Sequence, residues 1–339
     1  MSDFVIGQTT SKSSTTIPPA HRDAAPSAAT PEPPRERRRT TIGHYKLERR
    51  IEGGKAECWL CTDTRDGSQK FLKKFPSPKM PSEDDRMRDR STYDTQVAAC
   101  NAFRSHHESI MRDLNDERIG NGSLVKPFEA FWHESSFFKV SPFVSDLEDF
   151  SGERARLWSA KSRVLAIRGV LLALHELHDR GIVHCDIKRE NIHLVAMPTG
   201  FVARLIDFDD AYRADAPPPP TVLGGTEDYY SPEVLVYKGF ASTSRSIPLG
   251  LASDLFSLSL ALHEVFSSKG RKPLWNGADP TDAALHSLSG DKVDYESLGT
   301  ARPLLEYRLK LCLLADPHKR PRLSELLSAC GTNIGRLAS

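Results

Sequence analysis

No stretch of this chain approaches the ~18 consecutive apolar residues that a spanning helix needs, so a membrane span is not expected. Charge of one sign is missing too. Lys and Arg total 46, Asp and Glu 45, and the formal net charge is +1. A dedicated nucleic-acid binder would normally show a basic face in those totals, so no nucleic-acid partner and no membrane partner are expected. The N-terminus has no basic region followed by an apolar stretch, which argues against a secretory signal. Six cysteines, at 58, 61, 100, 185, 312 and 330, are scattered rather than framed for disulfides. That usage suits a reducing, cytoplasmic setting. Cys58 and Cys61 form a C-x-x-C without a second pair or nearby histidines, which is poor evidence for zinc or redox chemistry. What remains is 339 residues, more than one compact domain usually needs.

Residues 1–44 differ from the rest. They hold 12 Ser/Thr and 6 Pro and few large apolar residues. Such a segment cannot bury enough surface to offset its ordering entropy, and the composition predicts a disordered tail. Arg35, Arg37, Arg38 and Arg39 form a basic cluster beside Thr40 and Thr41. It reads as a solvated linker or, more sharply, as a docking segment for a regulatory partner.

From Tyr45 the pattern turns to strands. Residues 45–51 alternate apolar and polar, Gly53-Gly54 marks a turn, and 58–62 reads as a second strand closed by Asp66-Gly67. A third strand covers 70–75 and ends before Pro76. Residues 82–114 are charged, with helical spacing in the second half. Strand-like segments return at 124–132 and 137–144. Beyond Glu153 helices dominate, first as the stripe Val164, Ile167, Val170, Leu171, Leu174 and Leu177, then at 252–266, 302–314 and 323–329. Strands first and helices afterwards predict an α+β chain with two lobes.

The chemistry concentrates in Gly181-Ile-Val-His184-Cys185-Asp186-Ile-Lys188-Arg-Glu-Asn191, followed by Leu205-Ile206-Asp207-Phe208-Asp209. An Asp ending an apolar strand, together with an Asn from the preceding loop, offers oxygen ligands to a hard cation. Mg²⁺ favours one or two such ligands plus phosphate oxygens. Asp186 then remains to orient a hydroxyl, and Lys188 to neutralise a phosphate.

At this point the sequence resembles the eukaryotic-type (Hanks-type) Ser/Thr protein kinase family, over 45–329. His184-Cys185-Asp186-x-Lys188-x-x-Asn191 is similar to the catalytic loop and Asp207-Phe208-Asp209 to the magnesium motif. Gly225-Thr226-x-x-Tyr229-x-x-Pro232-Glu233 is similar to the end of the activation segment. Ser253-Asp254 resembles the buried aspartate motif, and Asp316 to Pro321 the late motif whose arginine, Arg320 here, pairs with the residue matching Glu233. Several ordered matches are far more specific than any one of them.

The resemblance implies a small β-rich N-lobe at 45–144, a mainly helical C-lobe at 145–329 and a short extension at 330–339. It implies ATP and Mg²⁺ as cofactors and a protein with Ser/Thr as partner. Asp186 would orient the hydroxyl, Lys188 contact the γ-phosphate, and Asn191 and Asp207 hold Mg²⁺. Lys73 would hold the α/β-phosphates. Lys74 is its rival, disfavoured because neighbouring strand side chains point to opposite faces. Glu108 is the expected helix carboxylate for Lys73. Gly53 and Gly54 would approach the phosphates, Ser141 would be the gatekeeper, and Pro142, Phe143 and Val144 would meet the adenine. Thr226 with Lys188 resembles Ser/Thr specificity. The folded part is expected to end close to Ser339 without a sensor domain or membrane anchor.

Three departures stand out. The glycine-rich loop carries Ala56 where a third glycine is usual. Cys185 replaces the arginine before the catalytic aspartate, which predicts little control by loop phosphorylation. Asp209 replaces the last glycine of the magnesium motif. It either fixes one state of that segment or adds a carboxylate near the metal. These departures keep a second reading open, a pseudokinase that binds a nucleotide or a partner without phosphorylating anything.

Overall fold

The computed structural model describes residues 41–52, 56–116, 122–145, 152–197, 200–243, 247–277 and 282–331. The expected tail, with its candidate docking segment, falls almost wholly outside these residues, as do Gly53 and Gly54.

Alternating residues build an antiparallel sheet in the order β1-β2-β3-β4-β6-β5. Its strands are β1 (Thr41–Ile42), β2 (Tyr45–Ile51), β3 (Glu57–Asp63), β4 (Gln69–Lys74), β5 (Glu129–His133) and β6 (Ser136–Pro142). The sheet begins ahead of the boundary expected at Tyr45. Gly43, at φ 59°, turns Thr41 and Ile42 back onto Lys46 and Tyr45. The expected Asp66-Gly67 turn joins β3 to β4, with the Gly67 N–H donating to the Asp63 carbonyl at 2.8 Å. Residues 124–132 form less strand than expected. Leu124 makes only a single bridge to Leu205, and Pro127, which has no N–H to donate, keeps regular pairing from starting before Glu129.

Between β4 and β5 lie α1 (Glu83–Arg88) and α2 (Arg90–Leu114). A capping box between Ser82 and Asp85 starts α1. Asp89 caps α2, accepting from the Ser91 and Thr92 N–H groups at 3.0 and 3.2 Å. Periodicity predicted only the second half of α2. Its first half is polar and exposed, and it is held by the cap and the local chain rather than by an apolar face.

The second lobe contains α3 (Gly152–Ala155), α4 (Ala160–His178), α5 (Pro232–Tyr237), α6 (Ala252–Phe266), α7 (Ala283–Ser289), α8 (Pro303–Leu311) and α9 (Leu323–Ala329). Three short strand pairings accompany them. These include β7 (Ile182–Val183) with β10 (Tyr212–Arg213), and β8 (Ile192–Met197) with β9 (Gly200–Leu205). The predicted stripe of α4 is buried throughout, and each such side chain stabilises the fold by about 1.5–3 kcal/mol. Gly169 permits α4 to approach β9, since a Cβ there would meet the Phe201 carbonyl at 3.1 Å. The α+β division into a β-rich and a helical lobe is therefore as the sequence implies.

Glu233, at the start of α5, and Arg320, ahead of α9, pair in two parallel hydrogen bonds of 2.6 and 2.7 Å. Both side chains are 0% exposed. Ser253 Oγ donates to Glu233, and Arg320 donates to the Ala252 carbonyl, so the pair is hydrogen-bonded on its remaining sides. Removing one partner would leave an uncompensated buried charge, a loss of about 3–5 kcal/mol. Arg320→Met is therefore expected to lower the melting temperature by at least about 6 °C. An unchanged melting curve would contradict the structural weight given to this pair.

Candidate active site

The loop after β7 is fixed by Asp254 on α6. Its carboxylate accepts the His184 N–H at 2.8 Å and the Cys185 N–H at 3.0 Å, and it meets His178 Nε2 at 2.9 Å. Cys185 adopts φ 67°, a left-handed conformation that a side-chain-bearing residue holds only when its surroundings enforce it. Asp186 follows and collects three donors. Lys188 Nζ donates to Oδ2 at 2.7 Å, Thr226 Oγ1 to Oδ1 at 2.6 Å, and Asn191 Nδ2 to Oδ2 at 2.9 Å. Burial works against the charge of Asp186. The hydrogen bonds from Lys188 and Thr226 outweigh it and hold the carboxyl below its ordinary value. Asp186 is thus a fixed carboxylate. Gly225, at φ 98°, lets the segment carrying Thr226 close over it, since a Cβ there would lie 2.5 Å from the Cys185 carbonyl.

Asp207, two residues beyond β9, lies in the left-handed region too, at φ 63°. The side chain of Phe208 packs on His184, ring centroids 5.1 Å apart, and His184 Nε2 meets the Ile206 carbonyl at 3.0 Å. These contacts lock the segment after β9 to the loop before β8.

Across the cleft, β4 turns Lys73 inward. Lys74 faces the other side, toward Glu57 at 3.5 Å. Lys73 Nζ lies 2.8 and 2.9 Å from the two oxygens of Asp207 and 2.6 Å from Asp209 Oδ2. Asp209 Oδ1 accepts from Lys139 Nζ at 2.6 Å. Lys139 stands in the middle of β6, 5% exposed, and lies 3.5 Å from His107 Nδ1 on α2. Burial opposes the charge of Lys73, but Asp209 and then Asp207 outweigh it and hold the ammonium above its ordinary range. Burial also opposes ionisation of Asp209, and Lys139 and Lys73 overcome it. Asp207 is raised, first by burial and then by the neighbouring Asp209.

The assignment of Glu108 to Lys73 is corrected. Glu108 Oε1 accepts from Arg104 Nε at 2.7 Å, one turn back on the same helix. The reason is helical phase. His107 is the residue directed inward, 2% exposed and packed among Phe75, Phe103 and Phe137. Its neighbour Glu108 is rotated about 100° away. Asp209 places one oxygen on each of two ammonium groups, those of Lys73 and Lys139.

The remaining expected residues fall as follows. Ser141 pairs with Phe71 in the sheet, Pro142 ends β6, and Phe143 and Val144 continue from it half-buried. The C-x-x-C is divided between settings. Cys61 belongs to the N-lobe core with Tyr45, Leu72, Phe138 and Val140. Cys58 lies opposite Lys73, its thiol pushed up to about 11 by burial. All six cysteines are free. The loop before Gly224 is pinned by Tyr237 Oη, which donates to the Pro218 carbonyl at 2.9 Å, and by Lys238, which donates to the Leu223 carbonyl. Sequence reasoning missed Lys139 and His107. A lysine inside the apolar run Phe137-Phe138-Lys139-Val140 was the available signal.

The residues suit a magnesium nucleotide. Asn191 uses its NH₂ on Asp186, leaving its amide oxygen as a hard donor, and Asp207 is a carboxylate that burial and Asp209 push up and that already draws in one cation, the Lys73 ammonium. Among the described residues no three His, Cys, Asp or Glu side chains cluster as a metal cage. A Mg²⁺ that reaches its site with phosphate oxygens needs only one or two protein ligands.

Lys73 of the β-rich lobe thus faces Asp207 beside the loop that carries Asp186, Lys188 and Asn191, in an α+β fold of two lobes. A family model described as the protein kinase domain matches residues 52–329, and the chain belongs to the protein kinase family. It is 27% identical over 224 residues to a titin homolog of Caenorhabditis elegans, which covers 66% of this chain. It is 30% identical over 169 residues, 47% of this chain, to a probable serine/threonine-protein kinase mps1 of Dictyostelium discoideum. It is 25% identical over 215 residues, 62% of this chain, to the calcium/calmodulin-dependent protein kinase type II alpha chain of Drosophila melanogaster. The matches span only 1%, 16% and 38% of those relatives' own lengths. No helix among the described residues is long and apolar enough to cross a membrane.

His107 gives the site a pH signature. Burial, and then Lys139, lower its pKa from 6.5 to about 3. The unfolded chain therefore takes up this proton first as pH falls, and stability is lost from about pH 6.5 down toward 3. His107→Phe, which suits the surrounding rings, is expected to flatten that part of the melting-temperature profile. A variant profile parallel to wild type over the window would contradict a buried neutral His107.

Proposed function

We propose that this chain is a serine/threonine protein kinase that transfers the γ-phosphoryl group of Mg-ATP to Ser or Thr hydroxyls of protein substrates, itself included. One observation carries the reading. Asp186, an ionised carboxylate, is held jointly by Lys188, Thr226 and Asn191, on the same side of the cleft as Asp207 and opposite Lys73.

In-line phosphoryl transfer needs positioning and charge neutralisation more than covalent chemistry. The substrate oxygen bonds to the γ-phosphorus, the bond from that phosphorus to the β,γ-bridging oxygen breaks, and ADP leaves. Asp186 orients the hydroxyl and accepts its proton. Lys188, freed from its ground-state contact with Asp186, neutralises charge on the γ-phosphate. Lys73 serves the α/β-phosphates. Asn191 and Asp207 would hold Mg²⁺, which would supply neutralisation of the phosphate charge. Ser141, Pro142, Phe143 and Val144 would border the adenine. The Thr226–Lys188 hydrogen bond of 2.8 Å supports Ser/Thr over tyrosine as acceptor. Two of the similar proteins carry names of serine/threonine and calmodulin-dependent kinases, which supports protein as the substrate class.

A pseudokinase is the second reading, favoured by Ala56 in the glycine loop and by a Lys73 already shared between two carboxylates. Labelled-ATP transfer by the wild type and by Asp186→Asn separates the two. The proposal predicts incorporation by the wild type and a loss of at least about 100-fold in the variant. Equal incorporation in both would overturn the role of Asp186. No incorporation by either, with ATP still raising the melting temperature, would establish the pseudokinase.

A further inference from the structure

Helix α2 carries three acids, and none of them reaches Lys73. Asp94 lies 3.8 Å from Arg90, Glu108 2.7 Å from Arg104, and Asp113 3.0 Å from Arg213. The side chain that α2 turns toward the cleft is His107. The lysine nevertheless has a second carboxylate besides Asp207, and it comes from Asp209.

We propose that Asp209 is the positioning residue for Lys73 in this chain, taking the place of a helix carboxylate, with Lys139 as its permanent counter-charge. The two departures from the expected pattern are complementary. An acid stands where a glycine was expected, and a buried base stands inside an apolar strand. One oxygen of Asp209 meets Lys139 and the other Lys73, each at 2.6 Å. Without Asp209 the buried ammonium of Lys139 would lose its carboxylate, and without Lys139 one oxygen of Asp209 would lose its ammonium, whereas together they make one bridge.

The bridge changes how the lysine is controlled. Lys73 is tied to the segment that bears the magnesium ligand, so a shift of α2 does not by itself remove its carboxylate. The helix is attached instead through His106 Nε2 on the Ala211 carbonyl at 3.1 Å and through His107 on Lys139. The first contact ends two residues beyond Asp209 and the second on Lys139 itself, so α2 is joined to the bridge through histidines rather than through a carboxylate.

The catalytic consequence rests on the kinase reading of the same cleft, but the pairing is testable without it. Melting temperatures of the full chain without nucleotide are measured for Lys73→Met, Asp209→Asn, Glu108→Gln and the doubles of each acid with Lys73. The Lys73–Asp209 pair is expected to be non-additive by at least about 3 °C and the Lys73–Glu108 pair additive within about 1 °C. If Asp209→Asn alone does not fold, Asp209→Asn combined with Lys139→Met removes both buried charges and is expected to recover folding. Failure of that double to recover would count against the bridge. In transfer assays Asp209→Asn is expected to raise KM for ATP at least about tenfold, Asp209→Glu to restore part of it, and Glu108→Gln to change KM and kcat less than about twofold. Coupling of Lys73 to Glu108, with none to Asp209, would overturn the proposal. A wild type that transfers no phosphate would sink the kinase reading, while the melting cycle would still decide the pairing.

Discussion

A lysine in the middle of an apolar strand needs a fixed anion, and Lys139 sets that requirement at the centre of this molecule. Taking an ammonium out of water costs several kcal/mol, more than most single contacts return. At an effective dielectric near 20, an ion pair at about 4 Å returns roughly 4 kcal/mol, so one close carboxylate about balances the cost and half of one does not. Asp209 gives Lys139 one oxygen and Lys73 the other. Asp207 then supplies the remaining charge, so two ammoniums face two carboxylates. The set is neutral as a whole, and each member is tolerable only because the others are present.

The second lobe supports this cleft with rigid polar anchors rather than with its core alone. Asp254 holds two successive backbone N–H groups ahead of Asp186, which fixes the loop that carries Lys188 and Asn191. The Glu233–Arg320 pair ties α5 to the chain ahead of α9. The activation segment is pinned by Tyr237 and Lys238 on backbone carbonyls, and an uncharged Cys185 stands where a phosphate-binding arginine was expected. These contacts hold the loop around Asp186 and the segment before Gly224 in place.

Much of this was legible in the sequence. Alternation and helical stripes placed most strands and several helices, because those elements bury one face. The polar first half of α2 escaped, since a helix held by a cap and by exposed residues leaves no apolar period to read. The catalytic-loop and magnesium motifs placed Asp186, Lys188, Asn191 and Asp207 in the C-lobe part of the cleft, and strand alternation turned Lys73 toward it. The partner of Lys73 was misassigned because a motif carries residue type but not helical phase. His107 and Glu108 are neighbours in sequence and face different ways. Asp209 and Lys139 are 70 positions apart. Each looked anomalous alone, and only together do they make electrostatic sense.

Lys73 is anchored by the Asp207–Asp209 segment and not by a carboxylate of helix α2. The decisive measurement is a crystal structure of the full chain with Mg²⁺ and a non-hydrolysable ATP analogue. Lys73 is expected on the phosphates with Asp209 still between Lys73 and Lys139, and Glu108 still beside Arg104. An ion pair of Lys73 with Glu108, with Asp209 turned to solvent or to the metal, would refute this anchoring.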